Sequence, residues 1–382
     1  PGLMQNYFGQ GAYVLGHPAE FASYLGQPDA LAAGAAAVSN PFFALAADGA
    51  PRVLLTVLGF LAAIIASQAL ISGCYSLTRQ AMQLGYFPRL RVQHTHAEYS
   101  GQIYLPLVNG LLAAGSILTV MLFHTTSALS AAYGIAVTGT MAITTIAYFF
   151  ATRPVRGRAL VLSAAMCGAL LVLDLVFFGA NLVKILEGGW FPLAIGGGVL
   201  AVMHTWKEGR QEVFRRVYRN NVTEAELVQI AQSTRIVRVP GAVVFMAGSP
   251  EGTPVALLHH LKSNRALHGT ALILTVVVHE VPAVDEARRL ELRSLGAGIS
   301  RAVAHYGYME FPDVGELMGR IAAQGVAINP HEATYVFNHE MVIAGGDSSL
   351  RDWQKRLYGF LCRNARPAKD HYRIPPAQII EI

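Results

Sequence analysis

A chain of 382 residues with 53% hydrophobic and 14% charged side chains, and a mean hydropathy of +0.39, is too apolar for one water-soluble domain, where about 25% charged residues is usual. The charge is also uneven: 14 of the charged residues lie before residue 205 and 39 after it, so a segment suited to hydrocarbon is joined to one suited to water. A net charge of only +5 gives no electrostatic footprint for nucleic acid, and three cysteines without paired spacing give neither a disulfide framework nor a zinc site.

The sequence opens at Pro1 without an initiator Met or a charged leader, so we expect a fragment whose first residues, 1–15, finish a span. A loop over 16–50 follows. Four apolar stretches near 20 residues come next, at 53–73, 103–123, 131–151 and 159–179. A fifth, 189–205, is shorter and Gly-rich, with Trp190 and Trp206 at its ends where interfacial anchors belong.

Basic residues alternate between the connections. Arg79, Arg89 and Arg91 follow the 53–73 span, residues 123–131 carry no Lys or Arg, and 152–158 carries Arg153, Arg156 and Arg158. Lys207, Arg210, Arg215, Arg216 and Arg219 follow the fifth span. By the positive-inside rule the 53–73 span enters the cytoplasm, the 16–50 loop is extracellular, and the tail is cytoplasmic.

Polar side chains within the spans are the candidate site. Gln68, Ser72, Tyr75 and Arg79 are spaced by 4, 3 and 4, which puts them on one helical face. They either hydrogen-bond between helices or line a substrate route. Tyr133, Thr140 and Thr144 share a face of the 131–151 span, with Thr138 and Thr145 on a neighbouring line. Gly134 and Gly139 admit close approach of backbone or an irregular helix, and hydroxyls with freed carbonyls are oxygen donors suited to an alkali cation. Helix packing by Gly and Thr is the alternative. Asp174 is the one carboxylate inside a span, five residues from its outer end, where it can serve a proton relay or simply reach the interface. Asn109, after Pro106, is read as structural.

Beyond a basic linker at 207–220, residues 221–382 alternate short strands (235–247, 271–280, 299–308, 333–345) with helices (222–232, 253–266, 313–324, 349–364). This pattern predicts an α/β domain with a partly parallel sheet. It carries no Gly-rich phosphate loop after a strand, no nucleophile elbow and no metal-spaced His pair, so no enzyme and no resident metal are expected. A small ligand at the strand ends stays open.

Longer strings are specific. NYFGQGA (6–12), NPFF (40–43), IASQALISGCYSLTRQAMQLGY (65–86), AAYGIAVTGTM (131–141) and ANLVKILEGGWFPL (180–193) resemble the KUP/HAK/KT potassium uptake family, as do RVPGAVVFM (238–246), HYGYME (305–310) and IPPAQIIEI (374–382) in the tail. The resemblance implies a twelve-span secondary transporter that imports K+ with protons. The expected fold class is therefore an α-helical multi-span membrane protein, the second half of a LeuT-like inverted-repeat transporter, followed by a cytoplasmic α/β domain. It places residues 1–206 in the membrane region, and it implies that the acidic residues handling cation and proton lie on earlier spans, before Pro1. Residues 16–50 are longer and richer in Ala than that pattern.

The expected function is K+ import across the bacterial inner membrane as a K+/H+ symporter by alternating access. Tyr133, Thr138, Thr140, Thr144, Gln68, Ser72 and Tyr75 would line the K+ pathway, and Asp174 would couple to protons. No cofactor is expected beyond the transported ions. The expected partners are the lipid bilayer, K+, a second copy in a homodimer and a small-molecule regulator of the tail. The alternatives are an organic-solute permease of the same superfamily and a membrane-anchored sensor.

Overall fold

The computed structural model describes residues 2–17, 41–47, 49–94, 103–123, 126–152, 157–218, 222–310, 312–338, 349–366, 372 and 374–382. Most of the expected extracellular loop, with Arg153, Arg156, Arg219 and the strand residues 339–345, lies outside them. The chain forms two compact units, residues 1–74 and 75–382.

The first unit contains α1 (Gly2–Gly16), α2 (Pro41–Ala44) and most of α3 (Ala50–Gln83). With 34 residues, α3 is about 51 Å long, far more than the 21-residue span expected at 53–73. Residues 74–83 contain no Gly or Pro, so nothing stops the helix until Gly85, whose φ of +76° only glycine adopts easily. The Tyr86 N–H donates to the Ala81 carbonyl at 2.8 Å and closes the end.

In the second unit α3 ends, and a two-stranded ladder, β1 (Gln93–His94) with β2 (Ile103–Tyr104), leads to α4 (Pro106–Leu122), which has proline in its first turn. Then come α5 (Thr126–Thr152), α6 (Arg158–Leu182) and α7 (Trp190–Tyr218). Among the described residues, α3, α6 and residues 129–152 of α5 are long and apolar enough to cross a membrane, and α4 is a shorter apolar helix of 17 residues. The expected fifth span forms the first part of α7. The stretch set apart as a linker continues that helix to Tyr218, helped by the Glu212–Arg216 pair at 2.8 Å.

The α/β region begins with α8 (Glu224–Gln232). Thr223 and Glu226 cap it reciprocally: the Thr223 N–H donates to the Glu226 carboxylate at 2.8 Å, and the Glu226 N–H donates to Thr223 Oγ1 at 3.3 Å. Then follow β3 (Val237–Ala247), α9 (Val255–Asn264), β4 (Ala266–His279), β5 (Leu290–Gly296), β6 (Ile299–Gly307), α10 (Val314–Ala323), β7 (Thr334–Phe337), α11 (Asp352–Asn364) and β8 (Ile379–Glu381). The sheet order is β5-β6-β4-β3-β7-β8, and every pairing is parallel except β5 with β6.

Alternate residues serve opposite faces. Val244, Leu272, Leu274, Ala302 and Ala304 meet Val314, Leu317, Met318 and Ile321 of α10, while Val243, Phe245, Ala271 and Ile273 meet Leu227 of α8 and Leu257 and Leu261 of α9. Burial on both faces explains why β3 and β4 read as apolar runs without alternation. Strand β5 falls in a stretch where no strand was expected, and β8 uses the terminal IIE run.

The largest fully buried side chain here is a charge. Arg301 on β6 is 1% exposed, pairs with Glu224 at 2.7 Å, and donates to the carbonyls of Pro250 (2.8 Å) and Gly252. It fastens the loop after β3 to the start of α8.

Candidate functional site

The polar groups of α5 and α6 meet because the two helices run antiparallel. Gly134 lies against Asn181, Gly139 against the Phe178 ring, and Thr145 against Asp174. As one number rises the other falls, which fixes the hairpin register. A Cβ on Gly139 would stand 3.3 Å from Phe178 Cε2, and one on Gly134 would strike the Asn181 amide. Helix α5 runs unbroken through both glycines, so of the two uses expected for them the structure shows close approach. Gly189 admits Ile135, which is 1% exposed, so α5 also seats against the turn before α7.

Asp174 lies well inside its helix. Helix α6 extends to Leu182, beyond the span end expected at 179, and leaves Asp174 eight residues, about 12 Å, inside the helix end. The carboxylate is 7% exposed and accepts a hydrogen bond from Thr145 Oγ1 at 2.6 Å, and among the described residues Thr145 is its one hydrogen-bond partner.

The threonines satisfy their own protons. Thr138 donates to the Gly134 carbonyl (2.7 Å), Thr140 to Ala136 (2.8 Å) and Thr144 to Thr140 (2.7 Å). A hydroxyl bonded back to its helix keeps its lone pairs outward, where it can only accept a donor or ligate a cation. Thr138 is half-buried on the α6 side. Thr140, Thr144 and Tyr133 lie on the opposite, exposed face, with Tyr133 71% exposed on this chain.

Tyr75 separates from its stripe. Gln68 and Ser72 are exposed in the first unit, whereas Tyr75 is 6% exposed and donates to Asn109 Oδ1 at 2.9 Å. Asn109 Nδ2 in turn donates to the Tyr104 hydroxyl at 3.3 Å, and the two tyrosine rings meet edge to face at 5.9 Å. This cluster ties the end of α3 to the start of α4. Its signal in the sequence is Asn109 beside Pro106, but the partner depends on a contact 34 residues away.

The described residues contain no group of three His, Cys, Asp or Glu side chains that could hold a metal ion. The chemistry offered by the helices is hydroxyl and carbonyl oxygen with one buried carboxylate.

The profile of the K+ potassium transporter integral membrane domain matches residues 1–211, and that of the K+ potassium transporter C-terminal domain matches residues 240–382. The chain belongs to the KUP/HAK/KT potassium transporter family. Among this family's curated members, "Probable potassium transport system protein Kup 1" of Syntrophobacter fumaroxidans is 40% identical over 385 residues, covering 100% of this chain and 55% of the relative. The Kup protein of Bdellovibrio bacteriovorus is 40% identical over 390 residues, with the same two shares. That of Acidithiobacillus ferrooxidans is 40% identical over 370 residues, or 97% of this chain and 57% of the relative. The chain thus spans about half the length of the curated relatives it matches. No solved structure matches it. The transporter family fits a helical membrane region followed by an α/β domain.

Proposed function

We propose that this protein imports K+ across the bacterial inner membrane, coupled to protons, by alternating access in a LeuT-like inverted-repeat architecture. The observation that carries the reading is the match of both domain profiles, together with relatives named as potassium transport system proteins that align over the whole chain. The helices supply what such a transporter needs: threonine hydroxyls with outward lone pairs for a dehydrated cation, and a carboxylate inside a span for the proton.

In this reading Tyr133, Thr138, Thr140 and Thr144 of α5, with Gln68, Ser72 and Tyr75 of α3, line the K+ pathway. Tyr75 acts through its bond to Asn109, holding the mouth of the route. Asp174 takes and releases the proton, with Thr145 as its hydrogen-bond donor. The basic ends of α3 and α7 support a cytoplasmic α/β domain. K+ and H+ are cargo, and no cofactor is required. A homodimer and a small-molecule regulator of the α/β domain belong to the same proposal. Nothing observed favours an organic-solute permease or an anchored sensor.

The test is growth of a K+-uptake-deficient strain at low K+. The wild-type protein should restore growth, and the double substitution Tyr133→Ala with Thr140→Ala should not. Equal rescue by both would remove these residues from the pathway while leaving K+ import intact.

A further inference from the structure

The end of α3 is gripped by a turn of the α/β domain. Arg79 Nη2 donates to the Met309 carbonyl at 3.3 Å and Gln83 Nε2 to the Glu310 carbonyl at 3.0 Å. These acceptors lie in the turn after β6, which is held from several directions. The Tyr308 and Met309 N–H groups donate to Val281 (2.9 Å) and Pro282 (3.1 Å), and Gly307 sits so close to Pro282 and Ala283 that no side chain fits there.

The Glu310 carboxylate completes the hold. It accepts from the N–H groups of Gly307 (2.7 Å) and Val284 (3.1 Å) and from Arg289 at 2.6 Å. Arg289 also donates to the Val284 carbonyl at 2.9 Å and lies over the Tyr306 ring at 4.9 Å. A turn this constrained presents two fixed carbonyl acceptors to the Arg79 and Gln83 side chains at the end of α3.

The domain is also secured separately. Gly209 of α7 makes room for the Tyr358 ring of α11, Trp206 packs against that ring at 5.5 Å, and Ser349 donates to Glu212 at 3.0 Å. Loosening the turn would therefore free α3 without detaching the domain.

We propose that Glu310 and Arg289 are positioning residues for transport: they shape the 307–310 turn that fixes the end of α3 through Arg79 and Gln83, so the α/β domain sets how that helix end moves. This rests on the K+ import reading.

The test uses the protein as its gene encodes it, in proteoliposomes, with Cys74, Cys167 and Cys362 replaced as the reference background. Gln83→Ala and Arg289→Ala should each lower the maximal Rb+ uptake rate by about fivefold while KM changes less than about twofold, and Arg289→Lys should recover part of the loss. The pair Gln83→Cys with Met309→Cys should also be slow when reduced. A short bis-thiosulfonate reagent should join the pair, though neither single variant, and return uptake towards the reference rate.

Failure to cross-link, or reference-like uptake by Gln83→Ala and by the reduced pair, would overturn the grip. Absence of K+ and Rb+ uptake by the wild-type protein would overturn the import reading and this role with it, and cross-linking in that case would still report the contact.

Discussion

The helical region and the α/β domain each bury a charged side chain, and they treat it differently. Arg301 in the sheet is surrounded by Glu224 and two carbonyl oxygens, so its charge is compensated. Asp174 on α6 is buried almost as deeply, yet among the described residues it has the single hydroxyl of Thr145. A charge with several fixed partners holds a fold together. A carboxylate with one neutral donor, inside a helix long and apolar enough to cross a membrane, costs free energy that a purely structural residue would avoid.

If that contrast is right, substitution should affect function at one site and stability at the other. The largest effect expected is on transport: Asp174→Asn keeps the shape and should lower pH-gradient-driven Rb+ uptake by about 100-fold, with little change in melting temperature. Arg301→Ala should do the reverse, costing about 3 kcal/mol in denaturant unfolding of the α/β domain because Glu224 loses the closer of its two arginine partners and the Pro250 and Gly252 carbonyls lose their donor, while folded protein still transports.

Gly134→Ala should cost about 2 kcal/mol by crowding Asn181, and Gly139→Ala less, since the Phe178 ring need move only slightly; thermal unfolding of the two variants in detergent checks the order. The smallest effect concerns Glu310. Burial alone would raise its pKa, but Arg289 and the Gly307 and Val284 N–H groups hold it below the ordinary carboxylate value. A depressed acid stabilises the folded state above its unfolded pKa, about 4.3, and loses that contribution as the pH falls through its lower folded value. Stability measured from pH 6 down to pH 3 should therefore drop at the acid end, and Glu310→Gln should flatten the drop.

Much of this was legible in the sequence. Apolar runs located α5 and α6, and alternating apolar and helical patterns located β3, β4, β6, α10 and α11. The misses have physical causes. Helix α3 outruns its apolar stretch because residues 74–83 are more polar yet contain no Gly or Pro, and hydropathy marks where hydrocarbon ends, not where a helix ends. Helix α6 likewise runs to Leu182, three residues past the stretch expected at 159–179. Strand β5, LELRSLG, pairs antiparallel at the sheet edge with a mixed burial pattern, so it lacks the apolar run that marks its neighbours.

At the candidate site, spacing correctly grouped Thr138 with Thr145 and Tyr133 with Thr140 and Thr144. Periodicity gives faces, though, and not what each face meets. The pairing of Thr145 with Asp174 depends on the hairpin register, and that of Tyr75 with Asn109 on how α3 and α4 cross.

The central claim is that Asp174 is a proton-handling group in a K+ importer. The most direct measurement is Rb+ uptake into proteoliposomes driven by an inward proton gradient, compared with Rb+/K+ exchange without a gradient, for wild type and Asp174→Asn. The account predicts that the substitution lowers gradient-driven uptake about 100-fold and leaves exchange measurable. Gradient-driven uptake by Asp174→Asn at the wild-type rate would contradict it.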